Sequence, residues 1–418
     1  MKHIWLPFTQ MKMAPAHLPL VSQAKKARLT LETGEEIIDA ISSWWVITHG
    51  HCDPWIVKAI QKQSENLDQV LFANFTHAPA QTLIQELSDL LPSNLQRMFF
   101  SDDGSTSVEV ALKMALQSQE QRGFSEKKRF LTFRHSYHGD TAGAMSVSGP
   151  SLFNKPYKPL LFSPLVAEQG HFSTEEPKNF YQDFERKLER HHKTLAAVII
   201  EPFIQGAGGM IIWPEKALSH ICRLTQEAGA YLIFDEVMTG FGRTGSLFAF
   251  QQLDVVPDIL CLAKGLTGGF LPLALTVCGE EVYQSFLSDK KEKSLFHGHS
   301  FTGNPVACAA ACGNLKKLKK HKQAIEKKWK AIEDLHKERG SRIQNHVQDV
   351  RWKGLVAAVE QKSSKGWSAP QAELWTKKAL EKGVFLRPLG DVLYILPPYS
   401  ITFKELHKVW DVIEELIF

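Results

Sequence analysis

The sequence predicts an α/β fold with a mostly parallel central sheet in a large domain, and three features carry that expectation. Short apolar runs, Leu195 to Ile200, Tyr231 to Phe234 and Ile259 to Ala263, stop abruptly at polar or glycine-containing turns. That is how strands buried on both faces read. Charged amphipathic stretches such as Phe180 to His192 lie between such runs and read as helices. Between about residues 305 and 330 the composition shifts, and the tail alternates helices with strands at Val350 to Val359 and Val392 to Leu396. This tail reads as a smaller α+β domain.

Bulk properties fit that division. A chain of 418 residues, 44% hydrophobic and 22% charged, has ample material for a sizeable core. The net charge of +4 gives no reason to expect nucleic acid or an acidic membrane surface as partner. Of the six cysteines none forms a CxxC pair. Cys261 and Cys278 lie in apolar runs and read as buried thiols. Cys308 and Cys312 lie among small residues of a probable helix and read as packing rather than metal ligands, so no metal is expected. The opening MKHIWLPFTQMK lacks the apolar core of a secretion signal, and no apolar run reaches the length of about 18 residues that spans a membrane. The expected location is the cytoplasm.

The elements follow in order. Leu29 to Ile38, with Thr-Gly-Glu inside it, reads as a hairpin. Ile41 to Val46 reads as a strand; its adjacent Trp44 and Trp45 would face opposite ways, so one of them looks into a cleft or an interface. Asp53-Pro54 opens a helix that runs to Leu67, and a second helix after Pro79 runs to about Leu91. Met98 to Ser101 is a strand, followed by a turn and a helix that opens at Gly104, Ser105 and Thr106. Free N–H groups and hydroxyls there could bind a phosphate, or Ser and Thr could simply cap the helix. Arg129 to Phe133 is a strand that delivers Tyr137, His138 and Asp140 at its end. Tyr137 offers a flat face for stacking, while nothing at ligand spacing makes His138 a metal site; Asp140 reads as support for Asp235 or the turn. Residues 150 to 180 read as a long loop near a site. Leu195 to Ile200 ends at Glu201-Pro202, read first as structural support, and Gln205 to Gly209 is a glycine loop. The basic stretch Lys316 to Lys328 reads as a solvated helix face. There is no internal repeat or low-complexity segment.

The chemistry gathers at two strand ends. Asp235 closes one apolar run and Lys264 closes another, so both would face the crevice at the carboxyl ends of the sheet. A lysine that holds an aldehyde as a Schiff base, with a carboxylate that keeps a ring nitrogen protonated, is what pyridoxal phosphate chemistry needs. The loop Thr239 to Gly245, with three glycines and Arg243 directly after the strand, reads as tight and polar.

DEVMTGFGRTG followed by the lysine of CLAKG resembles the signature of the class III pyridoxal-phosphate aminotransferases, of fold type I. The resemblance covers nearly the whole chain. It implies Lys264 as the Schiff-base lysine, Asp235 as the pyridinium partner, Gly104 and Ser105 at the cofactor phosphate, and Tyr137 stacked on the ring. It further implies a homodimer in which His299 and Ser300 reach the neighbouring subunit's cofactor and Gly298 its substrate. Residues 1–50 would pack with the small domain of residues 306–418, and residues 51–305 would form the large cofactor-binding domain.

HIWLPFTQMK, SSWW, YHGDTAGAMSV and RPLGDVLYILPPY narrow the resemblance to the branch of the family that serves biotin biosynthesis. This implies amination of 8-amino-7-oxononanoate to 7,8-diaminononanoate, with Trp44 lining the substrate pocket and Arg387 pairing with the substrate carboxylate. A long, mostly apolar acid suits one aromatic wall and one distant cation. S-adenosylmethionine is the expected amino donor. Phe8 stands where members using that donor commonly carry tyrosine, which keeps lysine as the alternative donor. Another ω-aminotransferase, or a non-catalytic binding protein on the same scaffold, are the rival readings.

Overall fold

In a computed structural model of the chain, residues 3–12, 17–169, 178–361 and 371–418 are described. The central sheet has seven strands in the order β4-β12-β11-β10-β7-β5-β6. These are β4 (Arg97–Ser101), β5 (Arg129–Phe133), β6 (Leu165–Ala167), β7 (Leu195–Ile200), β10 (Tyr231–Asp235), β11 (Ile259–Leu262) and β12 (Ala274–Cys278). Pairing is parallel from β11 through β6, and β12 alone runs against its two neighbours. Strands β7, β10, β11 and β12 are buried at every residue. Helices on both faces cover them, which explains why they read as unbroken apolar runs.

A second sheet joins distant parts of the chain. The hairpin of β2 (Arg28–Leu31) and β3 (Glu36–Asp39) extends β1 (Val21–Lys25), and β3 then pairs in parallel with β15 (Val384–Phe385). A two-stranded ribbon, β8 (Ile204–Gln205) with β9 (Ile211–Ile212), holds the glycine loop. The third sheet is β13 (Asp349–Lys353), β14 (Val356–Glu360) and β16 (Val392–Ile395), all antiparallel. Among the described residues no helix is long and apolar enough to cross a membrane.

Several boundaries and one element differ from expectation. Ile41 to Val46 is not a strand. The Asp39 carboxylate accepts from the N–H groups of Ile41 and Ser43, and Ser42, Ser43 and Trp45 take φ of 54°, 59° and 65°. The chain therefore makes a tight turn, a side chain-to-backbone capture that outcompetes the ladder. The first two helices stop at Ser64 and Ser88, three residues short of the expected ends. The stretch 150 to 180 includes β6 and a short 3-10 turn at Lys155–Leu160; residues 170–177 of it lie outside the described residues. The helix Pro305–Lys320 packs its small residues against Pro54–Ser64, where a Cβ on Gly313 would lie 3.0 Å from Trp55 O. In the basic stretch Lys317 pairs with Asp53, and Lys319 with Glu86 and Asp89, while most of its neighbours face solvent.

Candidate active site

Asp235 is the last residue of β10, and Lys264 follows the end of the adjacent parallel strand β11, two residues beyond Leu262. Both line one cavity of about 660 Å³ at the carboxyl ends of the parallel strands. Gly104, Ser105, Tyr137, Trp44 and Arg387 line the same cavity. Gly298, His299 and Ser300 do not line it within this chain. His299 instead faces Asp102 at 3.5 Å and His297 at 3.1 Å, and Ser300 O accepts from Gln69.

The Asp235 carboxylate is held from two sides. Oδ1 accepts from the Val237 N–H at 3.0 Å, and Oδ2 meets His138 Nδ1 at 2.7 Å. Asp140 was expected to support Asp235 or the turn; its N–H donates to the Ser105 hydroxyl of the turn at 3.2 Å, and the side chain held against Asp235 is His138. Burial first, and Asp140 second, push the Tyr137 phenol upward, so it stays protonated. The sequence weighed His138 as a ligand or base and missed this orienting role; its position on a strand-end segment opposite Asp235 becomes visible only in three dimensions.

Lys264 is partly accessible from the cavity, and protein surrounds its amine otherwise. Desolvation lowers the amine to about 8, against the pull of Asp235 and Glu201, while Arg243 adds to the lowering. Glu201 is buried, and its carboxylate accepts from Tyr137 N–H and Gly206 N–H, each at 2.9 Å. Burial raises it to about 7, with Asp235 adding and His138 opposing. Its contacts are those of a brace between the Tyr137 segment and the glycine loop.

At the opening of the helix Gly104–Gln121 the cap is Asp103, not Ser105 or Thr106. The Asp103 side chain accepts from Thr106 N–H at 3.0 Å, and the Thr106 hydroxyl accepts from Asp103 N–H at 3.0 Å. This leaves the Gly104 and Ser105 N–H groups out of the cap, at the positive end of an 18-residue helix. A Cβ on Gly104 would sit 2.6 Å from Val237 Cγ1, so glycine keeps this end of the cavity open. The Ser105 hydroxyl accepts from Asp140 N–H at 3.2 Å.

The mouth is aromatic. Trp44 is 39% exposed and Trp45 5%, and both line the cavity. Phe8 packs edge-on against Trp44 at 5.7 Å and against Phe153 at 5.5 Å. Arg387 lies 4.2 Å over the Trp44 ring; burial lowers its pKa, and no ion pair reaches it among the described residues. The loop Thr239 to Gly245 turns out to be almost wholly buried. Arg243 spends its guanidinium on the carbonyls of Trp45, Ile47 and Pro397, which tie the tight turn to the C-terminal part of the chain.

The donor set fits a planar, phosphorylated ring aldehyde. Free N–H groups at a helix opening suit a phosphate, a held carboxylate suits a ring nitrogen, Tyr137 and Val237 supply flanking surfaces, and a partly neutral amine suits an aldehyde. No group of three His, Cys, Asp or Glu among the described residues could hold a metal ion.

Known proteins resemble this chain over its full length. The family model described as aminotransferase class-III matches residues 10–417, and the chain belongs to that family. An adenosylmethionine-8-amino-7-oxononanoate aminotransferase of Synechococcus elongatus is 45% identical across 99% of this chain and 98% of that protein. The crystal structure of the aminotransferase of the same name from Methanocaldococcus jannaschii superposes with a TM-score of 0.93 at 34% identity, covering 100% of this chain and 97% of that one. An amine transaminase from an uncultivated Pseudomonas species, in its PLP-bound form, superposes with a TM-score of 0.92 at 27% identity, covering 100% and 98% of the two chains.

Proposed function

We propose that this class III aminotransferase binds pyridoxal 5'-phosphate and aminates 8-amino-7-oxononanoate to 7,8-diaminononanoate, a step of biotin biosynthesis, with S-adenosylmethionine as donor. The observation that carries it is the joint exposure of Lys264, Asp235 and an acid-free Arg387 to one cavity. The names of the full-length relatives support the substrate pair.

When bound, pyridoxal phosphate supplies an aldehyde that accepts the amino group and a ring that withdraws electrons from the neighbouring carbon. Gly104 and Ser105 hold its phosphate, Tyr137 and Val237 flank the ring, and Asp235 keeps a proton on the ring nitrogen. His138 and the Val237 N–H keep the Asp235 carboxylate aimed there. Lys264 Nζ takes the proton from the substrate carbon and returns it. An amine lowered to about 8 has a usable neutral fraction near neutral pH and still holds a proton once it has taken one. Arg387 pairs with the keto acid's carboxylate at the far wall, and Trp44 covers the aliphatic chain. Gly298, His299 and Ser300 serve the partner's site in a cytoplasmic homodimer.

Phe8 at the mouth favours one second reading, with lysine as donor, since it offers no hydroxyl to a polar donor. The test is purified protein with the keto acid and either donor, and diaminononanoate measured. Turnover with lysine but none with S-adenosylmethionine reverses the donor assignment. Activity on β-alanine or putrescine that ignores loss of Arg387 overturns the substrate.

A further inference from the structure

Trp45 sits where the Lys264 side chain ends. Lys264 Nζ lies 4.7 Å from the centroid of the Trp45 ring. The indole N–H donates to Tyr394 Oη at 3.0 Å, which fixes the plane of the ring. Backbone strain on both sides presents the pair. Ser42, Ser43 and Trp45 take left-handed φ, and Lys264 itself has φ of 46°, a region that L residues hold only where their surroundings over-determine it.

Those surroundings are in place. Ser43 N–H donates to both Asp39 oxygens, at 2.9 and 2.7 Å, and its hydroxyl donates to Oδ2 at 3.1 Å. His51 meets the same Asp39 oxygen at 2.8 Å. Ser42 Oγ donates to Leu396 O at 2.7 Å, and Arg243 donates to Trp45 O at 3.2 Å. Four side chains and one buried guanidinium interaction set are thus committed to a turn that lays one buried ring face under one amine.

We propose that Trp45 is a positioning residue for Lys264, its indole face holding the side-chain ammonium in a cation–π contact so that the amine stays aimed into the cavity while it carries a proton. The catalytic use of that hold rests on the aminotransferase reading above; the contact itself belongs to the chain. The charged groups that face the amine are Asp235 and Glu201, which favour the ammonium, and Arg243, which opposes it. Tyr394 meets the indole at its N–H edge. Desolvation works against the charge, and the π face works for it. A base that must be neutral to take a proton and charged to keep it needs both influences.

The test uses cofactor-free protein. Competitive acetylation over a range of pH, read by mass spectrometry on the peptide that carries Lys264, gives the titration midpoint of this one amine. Loss of the π face in Trp45→Leu lowers the midpoint by about one unit, a tenfold fall in proton affinity. Trp45→Phe keeps an aromatic face and retains most of the wild-type value. Tyr394→Phe, which leaves the ring but frees its N–H, moves the midpoint the same way by less, and serves if Trp45→Leu does not fold. An unchanged midpoint across the variants overturns the proposal. So does a raised one, which would mean that the ring only excludes water. In the loaded protein Trp45→Leu loses kcat more than KM, and Trp45→Phe restores it. A wild-type protein that aminates no keto acid, yet shows the titration shift, would sink the aminotransferase reading and leave the contact standing. Normal turnover without the shift would do the reverse.

Discussion

Replacing Arg387 by methionine separates substrate recognition from everything else at the site. The guanidinium is half-buried 4.2 Å over Trp44, and no ion pair reaches it among the described residues. Its desolvation is therefore largely incurred before any ligand arrives, and an incoming carboxylate meets an uncompensated charge. Truncating one half of a buried, hydrogen-bonded charge pair costs about 2–5 kcal/mol. Arg387 keeps some exposure, so screening places the loss at the lower end, about 2–3 kcal/mol. At about 1.4 kcal/mol per decade this is a fall of about 30- to 150-fold in kcat/KM for the keto acid. Methionine keeps an apolar stem against Trp44, which limits the packing loss. The assay compares the keto acid with its methyl ester in wild type and variant. Wild type should prefer the acid by a similar factor, and Arg387→Met should treat the two nearly alike. Equal losses on acid and ester would refute the reasoning, because the arginine would then act on the fold or the cofactor rather than the carboxylate.

Three more predictions follow from the same cavity. In Gly104→Ala the new Cβ meets Val237 Cγ1 at 2.6 Å, and overpacking of about 1–3 kcal/mol should weaken pyridoxal phosphate binding about tenfold in an absorbance titration; unchanged affinity would detach this turn from the cofactor. His138→Leu strips a donor from Asp235 Oδ2, and the loss of about 1–3 kcal/mol should lower kcat about tenfold or more in steady-state assays; an unaltered kcat would contradict the orienting role. Lys264 titrates in the folded protein at about 8 instead of its ordinary 10.5. Between those values the unfolded chain binds the extra proton, so the stability of cofactor-free protein should rise with pH there, and below the lower value the full cost of burial remains. Urea midpoints of wild type minus those of Lys264→Met check the sign; a difference that falls across that window would show that the amine is not desolvated.

What could be read from residues alone was whatever depends on local patterning. Unbroken apolar runs announced the parallel strands, because a strand covered on both faces has no polar side to show. Asp235 and Lys264 were visible because each breaks such a run at its carboxyl end, the end at which this architecture opens a crevice. The turn at Ser42 to Trp45 was misread as a strand because its cause, the Asp39 carboxylate gripping Ser43, is a local capture that hydrophobic periodicity does not record. Arg243 looked like part of a polar loop because its partners, the carbonyls of Trp45, Ile47 and Pro397, are far away in the chain.

The sequence by itself determined the strand ends, the chemistry they carry, and the family to which that chemistry belongs. Only the tertiary structure decided which groups stand next to them: His138 on Asp235 with Asp140 on the Ser105 turn, Asp103 rather than Ser105 on the helix cap, and Trp45 under the lysine. The physical reason is range. Periodicity and turn chemistry act over a few residues, whereas burial, hydrogen-bond competition and ring contacts depend on atoms that the fold alone brings within a few ångströms.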